Sequence, residues 1–148
     1  MSTASDPPDQ TGELRGQVLE FTLGNEEYCT SITDVTEIVN IGAVTEVPNT
    51  PAHVVGIMDL RGNTTTIVDP TVLLDLDADS EASRILVFDP TIFEDDRSVG
   101  WMVDGVHEVT RVTEDQVGES GTEADYVRGV VKNEEGYVVW VEPRDLHA

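Results

Sequence analysis

Val54-Val55-Gly56-Ile57-Met58-Asp59-Leu60-Arg61-Gly62-Asn63-Thr64-Thr65-Thr66-Ile67-Val68-Asp69-Pro70 is the stretch whose reading decides the fold. Two short runs rich in β-branched residues, 54–60 and 64–68, flank Arg61-Gly62-Asn63, and the whole reads as a β-hairpin. Asp69-Pro70 ends the second strand because proline has no N–H to give to a ladder. Residues 71–74 then read as one helical turn. Working upstream, 18–23 alternates apolar and polar side chains and stops at Gly24-Asn25, and 27–31 resumes, which predicts a second hairpin. Ile32, Val35, Ile38 and Val39 have helical spacing in a short β-branched stretch, so 32–39 reads as a turn of helix leading into a strand. Pro48 and Pro51 punctuate a loop.

Working downstream, 75–83 is an acidic loop, and 84–89, 99–104 and 107–112 are strand candidates. Residues 113–125 are polar and read as a loop with a short turn. Strands at 126–132 and 137–141 are joined by the tight-turn tetrad Asn133-Glu134-Glu135-Gly136. About nine or ten short strands with no long amphipathic helix predict an all-β fold, a sandwich or small barrels, the latter removing exposed edges. No exact internal repeat is visible in the sequence. Residues 1–15 are polar and aperiodic, an acidic leader expected to be disordered, and 16–148 form the structured part.

The chain has 30 acidic residues against eight basic ones, a net charge of −22, and Lys132 is its single lysine. A surface of that sign repels nucleic-acid phosphates and anionic membranes. The acids are spread along the chain rather than gathered in a tail, which reads as adaptation to molar salt, where the Debye length is about 3 Å. Cys29 is the lone cysteine and cannot form an internal bridge. The first twelve residues contain no apolar run of signal-peptide type, and no stretch approaches a membrane span. A reducing, cytoplasmic setting is expected.

Few residues invite chemistry. His147 reads as mobile, His107 as an exposed strand residue and His53 as a turn residue, and no nucleophile elbow or phosphate-binding glycine loop occurs. Asp75-Leu76-Asp77-Ala78-Asp79 opens like a calcium loop, but Ser80 and Leu86 stand where glycine and glutamate are needed. Asn63-Thr64-Thr65 matches a glycosylation sequon, silent without export. No catalytic residue, metal or cofactor is expected.

Val54 to Gly62, followed by Ile67-Val68-Asp69, resembles the signature of the CheW family, whose members show Val/Ile-x-Gly-x-x-Asn-Leu-Arg-Gly before a Pro-x-x-Asp-Leu element. Phe21 to Tyr28 is similar to that family's first hairpin, Val35-Thr36-Glu37-Ile38 to the element after it, Asn49-Thr50-Pro51 to its loop, and Gly100 to Val106 to its Gly-x-x-Val-Asp-x-Val strand pair. The resemblance covers about Val18 to Leu146. It implies two packed five-stranded SH3-like β-barrels with a few short helical turns. It also implies a non-enzymatic adaptor that couples the cytoplasmic tip of chemoreceptors to the regulatory domain of the histidine kinase CheA, or, as the alternative, one serving a non-chemotaxis kinase pathway. Receptor-binding positions carried over are Val35, Gly56, Leu60, Arg61, Gly100 and Val109, with Glu37 and Arg61 as an ion pair shaping the groove. Kinase-binding positions are Ile41, Val44 and Val47. A halophilic archaeal member is the expectation. Asp59 departs from the usual asparagine, Thr66 from proline and Pro70 from leucine; the first adds negative charge beside the implied receptor site.

Overall fold

The computed structural model describes residues 14–76, 82–119, 124–134 and 136–147. The hairpin read from 54–70 is β4 (Val54–Leu60) and β5 (Asn63–Val68). Arg61 and Gly62 turn the chain at φ 53 and 87. Positive φ at both central residues lets a two-residue connection follow the right-handed twist of its strands. Asp69 then caps α1 (Pro70–Leu73) by accepting the Thr71 backbone N–H at 3.0 Å, with Pro70 at the first helical position.

The remaining strands are β1 (Leu14–Leu23), β2 (Glu26–Ser31), β3 (Val35–Asn40), β6 (Arg84–Phe88), β7 (Val99–Val103), β8 (Gly105–Thr113), β9 (Val117–Gly118), β10 (Val127–Asn133) and β11 (Gly136–Val141), closed by α2 (Pro143–Leu146). Short 3-10 turns lie at Ile32–Asp34, Pro90–Ile92 and Glu114–Gln116. β1 opens at Leu14, within the last two residues assigned to the leader, and the rest of that leader lies outside the described residues.

Two sheets form, in the orders β8-β1-β2-β11-β10-β9 and β3-β6-β7-β5-β4. The all-β, two-barrel class holds, with six strands rather than five in one sheet. The extra strand, β9, has two residues and pairs only with β10; 113–125 was too polar to announce it. In the five-stranded sheet the edge strands β3 and β4 share one cluster, Val39 packing beside Met58, Ile67, Ile85 and Val87. Opposite edges can share a cluster only if the sheet curls into a small barrel. The six-stranded sheet encloses Val18, Cys29, Val112, Val131, Val138 and Trp140 in the same way.

Between the sheets lies a third, larger core including Leu19, Phe21, Leu86, Phe88 and Trp101. Val18 and Leu19 show how alternation divides β1: one faces its own barrel, the next the shared core.

The chain also carries a repeat that its sequence hides. Each half runs hairpin, crossing strand, hairpin, proline-led helical turn: β1–β5 with α1, then β6–β11 with α2. The first half gives β1 and β2 to the six-stranded sheet and β3–β5 to the other; the second half reverses this. Register repeats too. Thr45 bridges Ile57 and Gly118 pairs with Val130, while Gly56 and Gly129 each mark a register shift. A β-carbon on Gly56 would sit 2.2 Å from the Thr45 carbonyl oxygen; one on Gly129 would sit 2.9 Å from that of Gly118. At Gly56 the obstacle is backbone, which cannot rotate aside. Gly56→Ala is therefore expected to lower stability by about 1–3 kcal/mol or more, read as the shift in urea midpoint at fixed salt; an unchanged midpoint would refute the close approach.

Candidate functional site

Arg61 stands on the β4–β5 turn and Glu37 on β3, so their contact joins the two edges of the five-stranded sheet. Arg61 Nη1 donates to Glu37 Oε2 at 2.8 Å and Nη2 to Oε1 at 2.7 Å. This is the fork-to-fork geometry in which guanidinium and carboxylate meet in one plane. The Arg61 side chain is 77% exposed and that of Glu37 25%. An ion pair so wet contributes at most about 1 kcal/mol to folding, and the left-handed backbone of Arg61 costs a comparable amount. Stability alone does not account for an arginine there. Its planar head is oriented by two hydrogen bonds and left accessible, which suits recognition.

Beside the pair lies a cavity of ≈ 150 Å³ whose lining includes Thr36, Leu60, Asn63, Thr65, Phe88 and Ser98. Thr65 and Ser98 hydroxyls hydrogen-bond at 2.9 Å, and Thr36 Oγ1 donates to the Val87 carbonyl at 3.1 Å. These polar lining residues carry no motif; the one available signal is the inward phase that Thr65 shares with Ile67 on β5.

The other positions divide by exposure. Val35 is half-buried against the shared core, opposite Phe88. Leu60 is half-buried against the barrel cluster. Gly56 and Gly100 are buried, and a β-carbon on Gly100 would meet Ile85 Cγ2 at 2.6 Å. Both glycines shape backbone rather than present a contact surface. Val109 lies on β8, an edge strand of the other sheet, and is 44% exposed. Ile41 and Val44 pack against the five-stranded barrel's cluster, whereas Val47 is exposed.

Burial, with the charge of Glu20 second, pushes the Cys29 thiol up to about 12, so it is protonated at neutral pH. His107 Nε2 lies 2.5 Å from Thr22 Oγ1, and Glu27 bonds the same hydroxyl. His147, expected to be mobile, is instead packed: its ring lies against Phe93 and Trp101, because α2 turns it back onto the shared core. Asp77 to Asp79 of the calcium-like stretch lie outside the described residues.

Residues 17–147 match the family model of the CheW-like domain. This chain belongs to the CheW-like family. A chemotaxis protein CheW of Klebsiella aerogenes is 38% identical over 107 residues, covering 72% of this chain and 63% of that protein. The CheW of Rhizobium meliloti is 29% identical over 131 residues, covering 85% of this chain and 83% of its own length. The crystal structure of scaffolding protein TtCheW from Thermoanaerobacter tengcongensis superposes with a TM-score of 0.77 at 26% identity, over 88% of this chain and 91% of that one. The matched CheW-like region thus takes in both sheets and both members of the Glu37–Arg61 pair.

Proposed function

We propose that this chain is a non-enzymatic chemotaxis adaptor that couples chemoreceptor cytoplasmic tips to the histidine kinase CheA in signalling arrays. The observation that carries the reading is the exposed, bidentate Arg61–Glu37 pair on a left-handed turn. A surface group held at an energetic cost is one kept for what it meets. Receptor contact is assigned to Val35, Leu60, Arg61 and Val109, with Gly56 and Gly100 setting the backbone beneath. Kinase contact is assigned to Val47, backed by Ile41 and Val44. Family membership and the scaffolding relative support the role. No helix among the described residues is long and apolar enough to cross a membrane, so association with receptor arrays would run through partners.

The mechanism is binding rather than bond-making. An adaptor with two contacts raises the effective concentration of each partner for the other. With a net charge of −22, we read the chain as working in molar salt, where screening leaves apolar burial as the main driving force. Pull-down of the tagged full chain from native lysate at molar salt should recover CheA and receptor cytoplasmic fragments together, and recovery should fall as salt is lowered. Recovery of neither, from lysate shown to contain both, would overturn the proposal. Recovery of a different kinase would reassign the pathway. Stronger association at 0.1 M than at 2 M salt would defeat the salt argument.

A further inference from the structure

His147 caps α2 at the position where Leu74 caps α1, so the two halves of the chain fill equivalent places differently. Leu74 is an apolar plug against the shared core. His147 instead brings a ring whose centroid lies 5.3 Å from Phe93, 6.0 Å from Trp101 and 6.3 Å from His53. Its Nε2 accepts the indole N–H of Trp101, a fully buried residue, at 2.9 Å. An accepting Nε2 requires the neutral imidazole with its proton on Nδ1. A second proton would set donor against donor.

The charges around the ring come from three elements. Arg97, Glu94 and Asp95 belong to the segment before β7, His53 precedes β4, and Arg144 and Asp145 lie on α2. Arg97 and His53 oppose a charge on the ring, while Glu94, Asp95 and Asp145 favour one from exposed positions.

We infer that His147 is an acid-sensitive latch, which when neutral holds α2 to the shared core through Trp101 and when charged releases it, opening the ≈ 350 Å³ cavity between α2 and residues 92–97. Burial first, then Arg97 and His53, holds the ring's pKa down to about 4. A released ring returns to about 6.5. The closed form is therefore fully favoured above about pH 6.5, loses ground as pH falls from there, and loses no more below about 4. Across that window the opening equilibrium should rise about a hundredfold.

Three amides report the event: Asp145 and Leu146 donate to the Glu142 carbonyl and His147 to that of Pro143. Amide exchange of the full chain, followed by NMR from pH 7 to 3.5 at fixed salt and corrected for intrinsic rates, should show their protection falling about a hundredfold. Protection in β6 should hold, and the Trp101 indole resonance should move with the same midpoint. His147→Gln, which keeps an acceptor but cannot titrate, should stay flat; if that variant fails to fold, His147→Leu, copying Leu74, should stay flat. Equal loss in the non-titrating variant, no loss in the wild type, or simultaneous loss in α2 and β6 would each overturn the latch.

Discussion

Trp101→Ala is expected to lower folding stability by about 3–5 kcal/mol, a large part of the roughly 5–15 kcal/mol that holds a domain together. Trp101 is fully buried on β7 and meets Phe88 edge-on at 4.9 Å and Phe21 at 6.2 Å. Phe21 comes from the first half of the chain and Trp101 from the second, so truncation opens a cavity where the halves meet. It also leaves His147 without its indole donor. Surrounding side chains sit on twisted strands of both sheets and cannot collapse freely into the space. Urea unfolding at constant molar salt, compared with Val138→Ala inside one barrel, tests this. A loss below about 1 kcal/mol for Trp101→Ala would mean that the shared core does not carry the fold.

The second large effect falls on binding and spares folding. Arg61→Glu places two carboxylates where a forked pair stood, and receptor-fragment affinity should drop at least 30-fold, about 2 kcal/mol. Folding should change by less than about 1 kcal/mol, since the lost pair is exposed. Arg61→Gly sharpens the contrast. Glycine adopts φ 53 without strain, so stability should hold or rise while affinity is still lost. Calorimetric titration with a receptor cytoplasmic fragment, alongside unfolding curves, separates the two quantities. Unchanged affinity in Arg61→Glu would remove Arg61 from the interface.

Local chemistry explains which parts of this arrangement could be read in advance. Gly24-Asn25 and Arg61-Gly62 announced their hairpins because positive φ at a tight turn restricts residue choice. Asp69-Pro70 announced α1, and Glu142-Pro143 carries a weaker form of the same signal for α2, with no side-chain cap bond to strengthen it. β9 is invisible because two residues, Val117 and Gly118, have no period. The repeat is hidden because its halves share little beyond Gly56 and Gly129, Pro70 and Pro143, and apolar phase. Glu37 and Arg61 lie 24 residues apart, and a strand register decides that they meet. Their approach entered through the family pattern, since spacing alone gives none. His147 was misread because its place depends on Trp101, 46 residues away.

The exchange of strands between the halves has a mechanical meaning. Neither sheet can assemble from one half, so the two halves cannot part without tearing ladders, and the two sheets cannot hinge at their crossings without opening the core they share. A load on Arg61 at one barrel is carried covalently, through β3 into β2 and through β7 into β8, to the other. A partner touching Arg61 on one barrel and Val109 on the other would then meet a single stiff body, which transmits displacement and torque across the shared core rather than absorbing it in a joint.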